Sequence, residues 1–314
     1  MKIKAKLHFW LLLILIKLKW RRDKRQLPLT PECGELYTII HMNYWKRLRY
    51  FPNLIECRDF NDRVQWLKLF DQDREIIRCS DKLLVRNYVE ERVGSEYLVE
   101  LYQVCNHFSE INFDSLPDSF VIKTNHDSGT VILVSNKSEL NYSSIEKNIE
   151  ESIAKKYGWN KGEWAYPYIQ PKILVEEFIL STGICPADYK FHCVDGEVKW
   201  LQYIYDRCGC IKEVIISPDG SVANVHFDNN MEYSENFIMP LKFDQLKAIA
   251  CRLSSGFKYV RIDLYYSNGK IYFGEMTFFP LSGCYLGEGQ KKLGELLNFD
   301  RKTVKPFLLS NDVI

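Results

Sequence analysis

The chain has 314 residues, 46% of them hydrophobic and 26% charged, and 42 Lys and Arg against 41 Asp and Glu leave a net charge of +1. That length suits one large domain or two smaller ones with a sizeable core, and the balanced charge gives no global field that would point to nucleic acid as a partner. The ten cysteines form no Cys-x-x-Cys and no Cys/His cluster at zinc spacing; Cys208-Gly209-Cys210 is the one close pair. Scattered cysteines of this kind fit buried thiols in a reducing compartment rather than a disulfide framework.

In chain order, residues 7–16 (LHFWLLLILI) are nearly all apolar, with Lys2, Lys4 and Lys6 before them and Lys17, Lys19, Arg21, Arg22, Lys24 and Arg25 after. Ten residues are too few to span a bilayer as a helix. Basic residues stand where a signal peptide needs small ones. Two readings stay open: a helix in the interface of an anionic membrane, using residues 1–25, or a helix docked on the rest of the protein. LPLTPECG (27–34) is a turn-rich break, and 35–110 reads as mainly helical. Asn61 or Asp62 is expected to cap a helical run through WLKLFDQDREIIRCSDKLLVRNYVEERV. On periodicity alone, Asp81, Lys82 and Arg86 belong to a solvated face of that run.

Asp114 to Asp118 is a turn cluster. FVIK (120–123) and VILV (131–134) read as strands around the polar loop TNHDSGT (124–130). Such a loop can present successive backbone N–H groups to phosphate, or be an ordinary hairpin loop. An amphipathic helix is expected over 139–157, an aromatic-rich loop over 159–171 and a strand over 172–179. Two strands should flank Asp195-Gly196 within 188–207, and a hairpin should turn at Pro218-Asp219-Gly220. Residues 239–257 read as a helix. The densest signal is VRIDLYYSNGKIYFGEMTFFP (260–280), two apolar strands around Asn268-Gly269, the strongest short-range hairpin signal. Asp263 and Glu275 sit among its apolar residues. They either point to water or form a pair of carboxylates suited to a hard cation.

Taken together, DFNDRVQWLKLFDQD (59–73), SDKLLVRNYV (80–89), FVIKTNHDSGT (120–130), KILVEEFI (172–179), DYKFHCVDGEVKW (188–200) and VRIDLYYSNGKIYFGEMTFFPLSG (260–283) resemble the TupA-like (teichuronopeptide biosynthesis) branch of the ATP-grasp enzymes, over roughly residues 45–290. The resemblance implies an α+β ATP-grasp fold: two lobes with antiparallel sheets clamp ATP, behind a mainly helical N-terminal region. The expected division is a basic, apolar segment over 1–30, the helical region over 31–118, a small lobe over 119–175, a large lobe with the metal site over 176–290 and a tail over 291–314.

The same resemblance assigns roles. Lys123 would contact nucleotide phosphate, and the loop Asn125, His126, Asp127, Ser128, Gly129 would close over the phosphates. His126 could hydrogen-bond phosphate or acceptor, or be structural. Glu176, Glu177 and Phe178 would edge adenine and ribose. Lys190, with Asp188 nearby, would be a second phosphate contact. Asp263 and Glu275 would hold Mg²⁺, and Arg261 would stabilise developing oxyanion charge. Where the general ATP-grasp pattern ends its metal motif in Asn, this chain has Thr277, whose hydroxyl would coordinate Mg²⁺ directly or through a water, less firmly than an amide oxygen.

The implied activity is an ATP- and Mg²⁺-dependent ligation of a carboxylate to an amine or related nucleophile through an acyl phosphate. The implied setting is capsular, cell-surface polysaccharide or teichuronopeptide biosynthesis, with a carboxylate-bearing saccharide or peptide as substrate and a cytoplasmic location, peripheral at the inner membrane face. A glycosyltransferase of the same pathway is the alternative. The one Asp-x-Asp spacing, Asp71-Gln72-Asp73, falls inside the predicted helical run. A non-catalytic binding module is a third reading, against which the retained Lys123, Lys190, Arg261, Asp263 and Glu275 argue.

Overall fold

The computed structural model describes residues 2–179, 186–207 and 209–301, with side chains from Leu7 onward. Cys185, Cys208 and residues 302–314 of the expected tail lie outside the described residues. Helix α1 (Lys2–Asp23) is longer than the apolar run that seeds it. Leu12 and Ile16, four residues apart, are buried, while Leu7, Trp10, Leu11, Ile14 and Leu18 are exposed. The docking reading therefore holds for one stripe of the helix, and the rest stays uncovered. Asp23, fully buried, fixes its end by accepting from Tyr37 Oη at 2.9 Å and pairing with Lys19 at 3.2 Å. Among the described residues no helix is long and apolar enough to cross a membrane.

Tyr37 belongs to α2 (Gly34–Leu48). The long helix expected next breaks into three: α3 (Phe60–Phe70), α4 (Arg74–Ser80) and α5 (Val85–Arg92). Asp59, rather than Asn61 or Asp62, caps α3 by accepting from Asp62 N at 2.8 Å. Asp73 caps α4 through Glu75 N at 3.0 Å. Asp71-Gln72-Asp73 is thus the turn between two helices, since short acidic side chains bind backbone N–H groups best at a helix start. Leu101–Cys105, expected within the helical region, forms β1 instead.

Strands β1, β2 (Phe120–Thr124), β3 (Val131–Val134) and β4 (Ile173–Glu177) make a four-stranded antiparallel sheet in the order β1-β4-β2-β3. Along β2, Phe120, Ile122 and Thr124 point inward, where Ile145 and Ile149 of α6 (Tyr142–Ile153) complete a small core. Val121 and Lys123 alternate onto the other face, as a period of two requires.

The larger sheet runs β11-β10-β5-β6-β7-β8. Its strands are β5 (Asp188–Val194), β6 (Glu197–Tyr205), β7 (Lys212–Ile216), β8 (Val222–Ala223), β10 (Tyr259–Ser267) and β11 (Lys270–Thr277), while β9 (Glu232–Tyr233) pairs in parallel with β7. Helix α7 (Phe243–Ser254) covers one face with Leu246, Ile249 and Leu253. The two short turns are those the sequence specifies. Asn268-Gly269 and Asp195-Gly196 both have positive φ, 51° and 76°, then 49° and 83°, the backbone that joins right-twisted strands. Helix α8 (Gly289–Leu296) packs back on α3.

Candidate active site

The uncovered face of the larger sheet carries a row of charges. Residues directly opposite in an antiparallel pair share a face. Glu275 opposes Asp263, Asp263 opposes Lys190, and Lys190 opposes Gln202. Two positions along, Thr277 opposes Arg261 and Tyr265 opposes Asp188. A bulge makes this register possible: Gly274 has no partner, and the pairing shifts between Asp263 and Leu264. A Cβ on Gly274 would lie 3.0 Å from Asp263 O and 2.9 Å from the Tyr265 ring, so a side chain there has no room.

Asp263, 1% exposed, is the centre of the row. Arg261 grips it in a bidentate fork, Nε to Oδ1 at 2.7 Å and Nη2 to Oδ2 at 2.8 Å, and Lys190 Nζ donates to the same Oδ2. Arg261 Nη2 also reaches Glu275 Oε1 at 3.2 Å and Thr277 Oγ1 at 3.1 Å. Thr277 Oγ1 donates to Glu275 Oε1 at 2.8 Å. Lys190 pairs with Asp188 at 3.2 Å, and Arg207 holds the other Asp188 oxygen. Burial disfavours the Arg261 charge, yet Asp263 and then Glu275 outweigh it and hold the guanidinium pKa well above its usual value. Beyond Arg261 the same face turns dry: His192 stacks on Trp200 at 4.5 Å beside Phe60, Phe227 and Tyr259, and burial drives its pKa down.

The smaller sheet faces this row. Lys123 Nζ lies 2.5 Å from Glu176 Oε2, and Arg86 Nη1 meets Glu176 Oε1 at 3.4 Å. A cavity of about 420 Å³ lies between the sheets. On one side are Val121, Lys123, Val131, Leu133, Glu176 and Glu177, continued by Phe178; on the other are Asp188, Lys190, Asp263, Phe273 and Glu275. A second cavity, of about 430 Å³, adjoins it and shares Lys82, Lys190, Arg207 and Glu275.

The loop after β2 is fastened from within. Asn125 Nδ2 donates to Asp81 Oδ1 at 2.9 Å and Gln170 O at 3.0 Å, while its Oδ1 accepts from Lys172 N at 2.7 Å. Asp127 accepts from Thr124 at 2.6 Å, Thr130 at 2.5 Å and Ser152 at 2.6 Å. Burial opposes the Asp127 charge, but these three hydroxyls and Lys82 outweigh it and lower its pKa. His126 is buried with Nε2 3.2 Å from Ser152 O, and burial lowers its pKa. It lines neither cavity, whereas Asp127 and the exposed Ser128 line the second. Gly129, at φ 111°, lines neither. Among the described residues the backbone N–H groups of His126, Asp127, Ser128 and Gly129 donate to no protein group.

Four site residues were hidden in the sequence. Asp81 is buried, not solvated, and organises the α4–α5 turn by accepting from Leu83 N at 2.8 Å and from Asn125. That turn aims Lys82 between the cavities, where it donates to Asp127 O. Burial lowers the Lys82 pKa, with Glu275 acting against it. Arg86 reaches Glu176 from the next turn. Arg207 follows Asp206, whose φ of 58° turns the chain back over Asp188. The Asp81-Lys82 pair beside Arg86 was the available signal, and it reads as a helix surface until Asn125 is folded onto it.

A hard cation shared with phosphate oxygens needs one or two carboxylates. Asp263 and Glu275, with the Thr277 hydroxyl beside them, supply oxygen donors on one face, so the donor set fits Mg²⁺. Among the described residues no group of three or more His, Cys, Asp or Glu gathers into a metal centre on its own.

Two lobes whose antiparallel sheets enclose a cavity lined by lysines and acids form the ATP-grasp fold. The family model described as TupA-like ATPgrasp matches residues 62–298, and the chain belongs to that family. Among solved structures, the chain is similar to a D-alanine–D-alanine ligase from Bacillus anthracis complexed with ATP. Identity is 17% and TM-score 0.38, over 64% of this chain and 54% of that one. The corresponding ligase from Helicobacter pylori is 16% identical with TM-score 0.41, over 76% and 68%. The ATP-grasp ligase PsnB complexed with minimal precursor, Mg and ADP is 12% identical with TM-score 0.38, over 75% and 64%. The chain thus spans little more than half the length of the Bacillus anthracis enzyme. No curated protein matches it.

Proposed function

We propose that the chain is a Mg·ATP-dependent ligase that joins a carboxylate to an amine or related nucleophile through an acyl phosphate. The observation that carries this reading is the facing of Lys123 and Glu176 on one sheet with Lys190, Asp263 and Glu275 on the other across a single cavity. Adenine and ribose would lie against Val131, Leu133 and Phe178, with Glu176 and Glu177 at their edge. The phosphates would run towards Lys82, Lys123 and Lys190, under the N–H groups of residues 126–129, which have no protein acceptor among the described residues. Asp263 and Glu275, with Thr277, would hold Mg²⁺, which supplies charge neutralisation between phosphate oxygens.

A substrate carboxylate oxygen attacks the γ-phosphorus in line, and ADP leaves. An amine nitrogen then attacks the acyl carbon, phosphate departs and the amine loses a proton. Little covalent chemistry falls to the protein, so positioning and electrostatics carry the rate. Arg261, held by Asp263, would stabilise charge on the oxygens that change partners. The setting follows the family resemblance: a carboxylate-bearing saccharide or peptide of the cell envelope, ligated in the cytoplasm. The exposed apolar stripe of α1, with Lys17, Arg21, Lys24 and Arg25 exposed beyond it, supports docking on an anionic membrane surface.

Thermal unfolding of the full chain with Mg·ATP and, separately, with UDP-sugars tests the reading. Stabilisation by Mg·ATP that Glu275→Gln abolishes is the expected result. A folded protein that ignores Mg·ATP and responds to a UDP-sugar would overturn it in favour of a glycosyltransferase. Co-sedimentation with phosphatidylglycerol vesicles tests the membrane contact, and a chain left in the supernatant at low salt would refute it.

A further inference from the structure

The second cavity extends past the ionic row to another charged end, which the nucleotide leaves unused. Three stretches of chain meet there around one buried lysine. Lys68 of α3 donates to Ser282 O at 2.9 Å, Ser282 Oγ at 2.8 Å and Lys161 O at 3.0 Å. Gln65, one turn earlier, donates to the carbonyls of Ser282 at 2.9 Å and Gly283 at 2.8 Å. These donors hold Leu281, Ser282 and Gly283 in consecutive left-handed conformations, φ 46°, 58° and 62°. Such strained backbone gathers at ligand clamps.

Helix α2 closes the opposite side. Gly162 comes so near Ile40 that a Cβ would sit 2.7 Å from Ile40 Cγ1. Arg47 lies seven residues beyond Ile40, hence on the same face of the helix, and it lines the cavity together with Lys161. Tyr157 steadies Lys161, with its hydroxyl at 3.1 Å and its ring centroid 4.5 Å away. The acid at this end is Glu163, buried against Lys68 and Lys161, with Ser282 and then the more distant charge of Arg47 acting in the same direction. One carboxylate therefore stands against three cations, and the surplus faces open cavity.

We propose that Arg47 and Lys161, with Ser282 beside them, bind an anionic group of the substrate other than the group that reacts, so that the ligated substrate is a dicarboxylate. The assignment rests on the ligase reading for where the substrate reacts, and on the cavity alone for its charge. A carboxylate fits the guanidinium fork of Arg47 in bidentate fashion, and the lysine adds a point charge.

Calorimetric titration of the full chain, with and without Mg·AMP-PNP, uses straight-chain diacids from succinate to pimelate, each against its monoamide. Inorganic phosphate serves as a control for any small anion. At least one diacid is expected to bind tenfold or more tightly than its monoamide, and Arg47→Gln should reduce that preference to within twofold. Arg47 is exposed and makes no bond in the Lys68 cluster, so the variant should fold and bind Mg·AMP-PNP as the wild type does. The proposal is overturned if no diacid binds, if diacid and monoamide bind alike, if Arg47→Gln keeps the preference, or if phosphate binds as tightly as the best diacid. Failure of the wild type to bind Mg·AMP-PNP sinks the ligase reading separately, because the diacid titration without nucleotide still reports on Arg47.

Discussion

Asp263→Asn tests the electrostatic logic of the site. The carboxylate accepts two bonds from Arg261 and one from Lys190 while 1% exposed. An amide of the same shape aims an NH₂ group at one of these donors and leaves two cations facing each other without the charge between them. Charge-assisted bonds are worth about 1.5–3 kcal/mol each. Bonds that share one carboxylate are not additive, so the cost of breaking a buried pair, about 3–5 kcal/mol, is the better guide. For 314 residues the unfolding entropy is about 0.66 kcal/mol/K, or about 1.5 °C per kcal/mol, so the melting temperature should fall by roughly 5–8 °C. Differential scanning fluorimetry with and without Mg·ATP reads both effects: the fall in Tm and the loss of the nucleotide-dependent rise. Adding Lys190→Met removes one stranded cation and should recover about 1–2 kcal/mol of the loss. A fall in stability below about 1 kcal/mol in the single variant, or strict additivity in the double variant, would refute the argument.

Lys82→Met should weaken Mg·ATP binding roughly tenfold or more, one charge-assisted contact being worth about 1.5–3 kcal/mol, with little change in Tm; equal affinity by calorimetry would remove Lys82 from the site. Gly283→Ala should cost about 2–5 kcal/mol in chemical denaturation, because φ is 62° and the Cβ would sit 2.8 Å from Val64 Cβ on a rigid helix. Burial, and then Asp73, push the Asp71 carboxyl up to about 7. A raised carboxyl pKa favours the protonated form in the fold, so this contribution is complete below about pH 4 and is lost as pH rises to about 7. Asp71→Asn should flatten that slope in a Tm-against-pH series and raise stability at pH 8 by about 1–3 kcal/mol.

Legibility followed the range of the interactions. The β10–β11 hairpin could be read because Asn268-Gly269 and its alternating flanks act within a dozen residues. FVIK and VILV were legible for the same reason. Their pairing partner β1 was not: Leu101–Cys105 is too short to stand out beside a helical stretch and is fixed by β4, about seventy residues away. The single predicted helical run through 66–93 broke because Asp73 and Asp81 bind backbone amides at turns, a role that acids on a helical pattern do not announce. Lys82 and Arg86 became site residues only through Asn125 and Glu176, and Arg47 through Gly162. All three are long-range placements that no local pattern carries.

The bulge at Gly274 also fixes a parity. Between it and the Asn268-Gly269 turn the hairpin pairs in one phase; beyond it, in another. Changes at the tip that keep the strands paired can lengthen or shorten the hairpin by whole two-residue steps and leave Asp263 and Glu275 opposite each other. Deleting Gly274 changes an odd count to an even one. The Asn268-Gly269 turn would still bring Glu275 opposite Asp263, now as a regular ladder pair, so the deletion removes the local bend and added twist beside the two acids rather than their pairing. The turn thus decides which side chains look into the cleft, and a single residue without a side chain decides how sharply the strand bends as it carries them there.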